Sequence, residues 1–169
     1  MTWDDDVCKV CQTEDTVLPH GNKQSKVLII GEFPGDDEVI KGIPFIGPTG
    51  RILKQELAYL GVDLKQIRRG NLWIHKPNSN LECRNYGAEV MIQEAKGRQV
   101  IWLIGSDAVK FFTNEKVSEV NGLQVQSELL SAPTIMACIQ PASVFSKPIG
   151  EFRFGLKKFV DKLEELKIV

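Results

Sequence analysis

The residues best suited to chemistry lie in the segment 31–50, which follows a short apolar run. Its glycines allow sharp turns and a close approach to a ligand, and its prolines stiffen the chain between them. One carboxylate, Glu32, stands directly after the apolar run, and one aromatic residue, Phe45, stands between rigid neighbours. A ring held in this way is suited to stacking on a planar base. The segment predicts a base-binding pocket, although a long loop whose phenylalanine only fills core has the same composition.

Four cysteines are the second chemical feature. Cys8 and Cys11 have the CxxC spacing that lets two thiolates bind one metal. The acidic N-terminus lacks the basic and apolar regions of a signal peptide, so we expect a cytoplasmic protein with reduced cysteines. Metal ligation is then favoured over a disulfide, and a CxxC pair without metal is the alternative. Cys138 lies in an apolar run, which predicts a buried core thiol.

Strands and helices alternate along the chain and must position these residues. Apolar runs predict buried strands at residues 26–31, 71–75, 99–104 and 134–139, with an additional edge strand at 123–130. Helical spacing and capping residues, among them Thr49 and Ser106, predict helices at residues 50–60, 85–96, 106–112 and 150–166. This order implies an α/β fold, a three-layer α/β/α sandwich with a central, mostly parallel four-stranded sheet. Ligands of such sheets bind where the strands end.

Composition and charge limit the possible functions. A chain of 169 residues with 43% hydrophobic and 25% charged residues fits one globular domain, 1–169, with an irregular arm at 1–25. A net charge of −1 counts against a protein that coats DNA, but not against an enzyme that touches DNA briefly. No apolar run reaches membrane-spanning length, so we expect no membrane partner, and we expect a monomer.

Two stretches of the 31–50 segment carry a family resemblance. Residues 31–35 read Gly-Glu-Phe-Pro-Gly, and residues 42–50 read Gly-Ile-Pro-Phe-Ile-Gly-Pro-Thr-Gly. They resemble the first motif of family 4 uracil-DNA glycosylases, typically Gly-Glu-Ala-Pro-Gly followed by Gly-x-Pro-Phe-Val-Gly-x-Ala-Gly. Later elements follow in the family's order, although the resemblance is strong only in this motif. It implies a uracil-DNA glycosylase-like fold that flips uracil out of DNA and cleaves its bond to the sugar.

The resemblance assigns roles within the pocket. Glu32 would position water or stabilise positive charge developing on the sugar. Phe45 would stack on the flipped uracil, and Asn71 would read its amide edge, because an asparagine both donates and accepts hydrogen bonds. A sheet-end residue without a ligand role is the alternative for Asn71. The same motif implies further substrate contacts at Gly31, Phe33 and Gly35.

A glutamine departs from the family's second motif. The family normally has a histidine before a proline, and here that residue is Gln140. Its amide can donate a hydrogen bond to the departing base but carries no charge, and charge-assisted bonds are roughly twice as strong. Loss of a good oxyanion donor costs on the order of 10² to 10³ in rate. Glu32 and Gln140 are the expected catalytic pair, and a catalytically weak module that binds DNA or a partner is the alternative.

The loop after Gln140, which includes Ser143, is expected to wedge into DNA during base extrusion. Phe145 would fill the vacated space, and Lys147 would meet a phosphate. Packing of Phe145 on the C-terminal helix is the alternative. The expected partner is DNA containing uracil or a modified pyrimidine.

The resemblance also implies a metal centre. Family 4 members hold a 4Fe-4S cluster with four cysteines, two of them in an N-terminal pair like Cys8 and Cys11. Cys83 lies closest to the fourth ligand position, and His75 lies at the third, where it replaces a cysteine. Such a Cys₃His set can hold an iron–sulfur cluster, which we expect, or a zinc ion, which is the alternative. Either would fasten the irregular arm.

Two further sequence features bear on alternatives. Lys65, Arg68 and Arg69 form a small basic cluster that would contact phosphate if it faced the pocket. An unrelated nucleotide-binding protein would need a phosphate cradle of the GxGxxG or Walker type, and neither follows any predicted strand.

Overall fold

The computed structural model describes residues 6–141 and 149–169, and their strands and helices alternate as predicted. The strands are β1 (Val27–Gly31), β2 (Arg68–Asn71), β3 (Val100–Ile104) and β4 (Thr134–Cys138). The α-helices are α1 (Asp36–Lys41), α2 (Pro48–Tyr59), α3 (Leu81–Ala95), α4 (Ser106–Thr113), α5 (Val117–Val120) and α6 (Gly150–Glu165), and Leu64–Gln66 forms one turn of 3₁₀-helix.

The four strands form one sheet in the order β2-β1-β3-β4, and every pair is parallel. This confirms the predicted fold class. β1 therefore has β2 on one side and β3 on the other. The first connection leads to one side of β1 and the later strands are added on its other side, so the strand order reverses between β1 and β3. Open α/β sheets bind ligands outside the carboxyl ends of strands at such a switch point. Glu32 and Gly105, which follow these two strands, lie there.

The strands are buried on both faces, because helices cover each side of the sheet. On one face Leu28, Ile30 and Leu103 pack with buried residues of α3 and α4. On the other face Ile29 and Trp102 pack with α2 and α6. The alternation of side chains along a strand explains why consecutive apolar residues enter two separate cores. The architecture is the expected three-layer sandwich, and none of its described helices is long and apolar enough to span a membrane.

The N-terminal arm runs along the outer edge of β2. His20 pairs with Arg69 in an antiparallel bridge, and the Val17 amide donates to the Ile74 carbonyl. The arm therefore covers the backbone groups of an edge strand, which would otherwise be open to pairing with another chain. The side chain of His20 is exposed.

The second strand differs most from its prediction. It covers Arg68–Asn71, and residues 72–75 leave the ladder as buried bends. The apolar run suggested a strand because those residues are buried, but their backbone follows another path. The Leu72 and Trp73 amides donate to the carbonyls of Gly31 and Glu32. Asn71 is thus the last residue of the strand.

Other boundaries moved for local reasons. The N-cap of α2 is Gly47 and that of α4 is Gly105, so Thr49 and Ser106 lie inside their helices. α3 begins at Leu81, where the side chain of its N-cap Asn80 accepts from the Glu82 amide. The expected edge strand at 123–130 is reduced to one isolated bridge between Gln124 and Met136. The short helices α1 and α5 were not predicted, because neither has enough turns to show a period.

Candidate active site and metal centre

A cavity of about 520 Å³ opens at the carboxyl edge of the sheet. Six of its lining residues were candidates from the sequence: Glu32, Phe33, Gly35, Phe45, Asn71 and Gln140. Five were not: Asp36, Asp37, Glu38, Pro48 and Thr49. Its volume lies in the usual range of ligand sites, roughly 300 to 1,000 Å³. The structure thus brings the candidates from three strand ends to one space.

Glu38 shapes the loop that forms one wall of the cavity. Its buried carboxylate accepts hydrogen bonds from the Gly47 amide at 2.8 Å and from the Gly35 amide at 3.3 Å. One side chain therefore joins the start and the end of the loop. The sequence contained a signal for this, because a glutamate three residues into a helix commonly bonds back to its N-terminal backbone.

Phe45 is held in an unusual backbone conformation. Its φ is 60°, in the left-handed region that non-glycine residues seldom adopt. Gly50 makes this possible, because a Cβ there would overlap the backbone of Phe45. A Cβ on Gly31 would lie 2.6 Å from both the Phe45 ring and the Asn71 Oδ1 atom. Gly31 is therefore required for the aromatic ring and the amide to approach each other beneath the cavity.

Glu32 is a buried carboxylate at the switch point. Its Oε2 atom accepts from the Asp107 amide at 3.2 Å, and its Oε1 atom accepts from the Gln140 amide at 2.7 Å. Burial raises the pKa of Glu32 to about 7, and the nearby Asp107 side chain adds to the rise. The carboxyl group can therefore exchange a proton near neutral pH, as a general base must.

Gln140 directs its amide nitrogen to Glu32. An amide nitrogen carries two hydrogens, and among the described residues only Glu32 accepts one of them, so the second can serve a ligand. The glutamine therefore combines two tasks: it orients Glu32 and offers a donor to the cavity. The candidates Ser143, Phe145 and Lys147 lie outside the described residues.

The basic cluster does not face the cavity. Arg68 and Arg69 are buried at the start of β2, whereas the cavity lies at the ends of the strands. Arg68 forms a bidentate pair with Glu94, and Arg69 donates to backbone carbonyls. Lys65 is exposed in the 3₁₀ turn that precedes β2. Arg68 and Arg69 therefore do not meet the condition for a phosphate contact at the pocket, because their side chains bind groups of the protein itself.

Cys8, Cys11, His75 and Cys83 come together as a possible metal centre. Their ligand atoms all lie within 4.8 Å of one another. The His75 ring directs Nε2 toward Cys11 Sγ at 3.5 Å, and its Nδ1 lies 2.7 Å from the Lys76 carbonyl oxygen. The group joins the N-terminal arm to the chain after β2. Cys138 is buried in the core away from this group, as expected.

One ion pair links the chain beside the metal centre to the wall of the cavity. Lys76, directly after His75, pairs with Asp36 at the start of α1. Residues 72–75 form the other link, because they connect Asn71 to His75 and hydrogen-bond the backbone of Gly31 and Glu32. The metal-binding residue His75 therefore holds one end of the segment 71–75, whose other end, Asn71, lines the cavity.

Comparison with known proteins agrees with this arrangement. The family model described as the uracil DNA glycosylase superfamily matches residues 18–166. The chain is 30% identical to the type-4 uracil-DNA glycosylase of Pyrobaculum aerophilum, over 91% of this chain and 87% of the relative. It is 27% identical to the type-4 enzyme of Archaeoglobus fulgidus, over 83% and 78% of the two chains. For the type-4 enzyme of Thermotoga maritima the identity is 24%, over 88% and 81%. This chain belongs to the uracil-DNA glycosylase superfamily.

Proposed function

We propose that this protein removes uracil from DNA by cleaving the N-glycosidic bond. The convergence of Glu32, Phe45, Asn71 and Gln140 on one cavity carries the proposal, since these four side chains provide a carboxylate, an aromatic face and two amides. Family membership and the type-4 relatives support the same activity.

Recognition in this proposal begins with a nucleotide flipped out of the DNA. Phe45 stacks on the base, and Asn71 both donates to and accepts from its amide edge. Phe33 is about half exposed at the rim of the same cavity and adds a second aromatic surface. Gly31 and Gly35 leave room for the backbone to approach the base.

Bond cleavage then depends on charge. The bond between the sugar C1′ and the base nitrogen breaks, and its electron pair leaves with uracil as an anion. Glu32, as a carboxylate, stabilises the positive sugar and takes the proton of the water that attacks C1′. The free amide hydrogen of Gln140 bonds an oxygen of the leaving base. The uracil anion then takes up a proton, either from the protonated Glu32 or from solvent, so that abasic DNA and uracil are the products and Glu32 returns to the carboxylate.

In this proposal the metal centre has a structural role. The Cys₃His set fastens residues 6–25 to the chain that follows Asn71 and so keeps the cavity wall in place. Of the two metals expected for this set, a 4Fe-4S cluster and a zinc ion, the spacing of the ligand atoms favours zinc.

The substitution at Gln140 favours a second candidate function. An uncharged donor already bonded to Glu32 stabilises a leaving anion less than a histidine does. A protein that binds uracil-containing DNA with little turnover would have the same cavity. The two candidates differ in product and not in binding.

Detection of abasic DNA separates them. Single-stranded and double-stranded oligonucleotides with one uracil are incubated with the protein and then cleaved with alkali, and matched oligonucleotides carry thymine instead. We expect strand scission only with uracil, and loss of scission in Asn71→Ala. Binding of uracil DNA without scission at stoichiometric protein would support the binding module. The absence of both binding and scission would overturn both proposals.

A further inference from the structure

The spacing of the four metal-ligand atoms distinguishes a single ion from a cluster. A tetrahedral zinc with Zn–S bonds of about 2.3 Å and a Zn–N bond of about 2.0 Å puts sulfur and nitrogen about 3.5 Å apart and two sulfurs about 3.8 Å apart. Cys11 Sγ and His75 Nε2 are 3.5 Å apart, and no two ligand atoms of the set exceed 4.8 Å. A 4Fe-4S cube must lie between its ligands, each bound to a different iron, which this spacing does not allow.

The types of ligand agree with the spacing. Three thiolates and one imidazole are a common set for structural zinc, whereas 4Fe-4S clusters are ordinarily bound by four thiolates. We propose that Cys8, Cys11, His75 and Cys83 hold one structural zinc ion, so that the replacement of a cysteine by His75 accompanies a change of metal.

Groups around the ligands are arranged for a zinc ion. The Lys76 carbonyl accepts a hydrogen bond from His75 Nδ1, which leaves the lone pair of Nε2 free for the metal. The Asn78 amide donates to Cys83 Sγ at 3.7 Å, which stabilises a thiolate. Three of the ligands are buried (Cys8, His75 and Cys83), and Cys11 is exposed. The ion would therefore be enclosed by protein except on the side of Cys11.

Zinc has a different consequence from a cluster, because it has no redox chemistry. Binding releases protons from the thiols and joins the arm to residues 75–83. The protein would then keep its stability under oxidants that dismantle an iron–sulfur cluster as long as the thiolates stay bound.

Metal content of the whole protein tests the proposal. The protein is produced in medium supplemented with iron, purified without oxygen, and analysed for metals and visible absorption. We expect about one zinc per chain and no visible band. Metal-free protein is then offered zinc, or ferrous iron with sulfide. Zinc should raise its Tm, and iron with sulfide should form no stable cluster. A brown protein with about four irons per chain, or a folded chain that binds neither metal, would overturn the proposal.

Variants locate the ion. His75→Ala should lower the zinc content, and His75→Cys should retain it, because four thiolates also bind zinc. Cys138→Ala is the matched control, since this thiol lies in the core, and it should keep the wild-type zinc content. Equal loss in His75→Ala and Cys138→Ala would count against the assigned ligands. None of these readouts depends on glycosylase activity, so the metal proposal and the proposed function can fail separately.

Discussion

At the scale of single residues, two opposing effects act on the ionisation of Glu32. Burial favours the neutral acid, whereas the proposed chemistry needs the carboxylate. Its pKa of about 7 is the result, and the amides of Asp107 and Gln140 stabilise the charged form. A carboxyl group with this pKa is present in both forms at neutral pH.

The rate should follow the ionisation of Glu32. Because the carboxylate is the active form, kcat/KM on single-stranded uracil DNA should rise with pH through about 7. The measurement is alkali-sensitive product across the pH range. Glu32→Gln should show a low, flat profile, and a wild-type profile without a rise in this region would contradict the assignment.

Stability should show the opposite trend. The pKa of Glu32 rises from 4.5 to about 7 on folding, so its stabilising contribution is complete below 4.5 and is lost as the pH passes through about 7. The Tm of Glu32→Gln relative to the wild type should therefore increase between about pH 5 and pH 8. Thermal unfolding at the two pH values measures this difference, and a constant difference would exclude a raised pKa.

Gln140 is the residue whose replacement tests the leaving-group contact. Gln140→His should raise the rate by roughly tenfold, because a charged donor bonds the anion more strongly. Gln140→Ala should lower it by on the order of 10² to 10³, as the loss of an oxyanion donor does. Single-turnover rates measure both changes. A pocket that responds to neither substitution does not use this position for catalysis.

At the scale of elements, the loop between β1 and α2 depends on one acceptor. Glu38 on α1 binds the amides of Gly35 and Gly47, and the loop between those glycines contains Phe45. The geometry of an aromatic wall thus rests on a helix of six residues, which has little stability of its own.

Removal of this acceptor should weaken both stability and binding. Glu38→Ala leaves the buried Gly47 amide without its partner, which costs about 1–3 kcal/mol. The ring should lose its fixed position, so KM should rise by a larger factor than kcat falls. Glu82→Ala, an exposed glutamate in the first turn of α3, is the control and should change neither. Equal effects of the two substitutions would deny the loop-fastening role.

At the scale of the whole molecule, none of the described residues that line the cavity is positively charged. The net charge is −1, Arg68 and Arg69 are buried at the other edge of the sheet, and Asp36 and Asp37 line the cavity. Contact with DNA should therefore rest on the flipped base more than on the phosphate backbone.

Salt dependence measures this balance. Because a small phosphate contribution releases few counterions, the logarithm of the affinity should fall against the logarithm of salt with a slope of only about −2 to −4. Lys147→Ala should reduce the magnitude of the slope by about 1, as the loss of one phosphate contact does. Lys65→Ala should leave it unchanged. A slope near −10 would instead indicate an extended DNA-coating surface.

Much of the fold follows from local patterns. The apolar runs at β1, β3 and β4 are continuous because both faces of the sheet are covered, and that is visible along the chain. The second strand was predicted at 71–75 but covers Arg68–Asn71, because its charged residues do not form an apolar run. Arg68 pairs with Glu94 and Arg69 donates to the Pro44 carbonyl, and no local period records partners that lie 26 and 25 residues away.

The sequence by itself determined which groups this protein has: the motif with Glu32 and Phe45, the CxxC pair, and the exchanges to Gln140 and His75. Only the tertiary structure decided how those groups act. The raised pKa of Glu32, its bond to Gln140 and the separation of the metal ligands all depend on distances between strand ends and loops. Burial and electrostatic interaction vary with distance in space, whereas a motif reports only order along the chain.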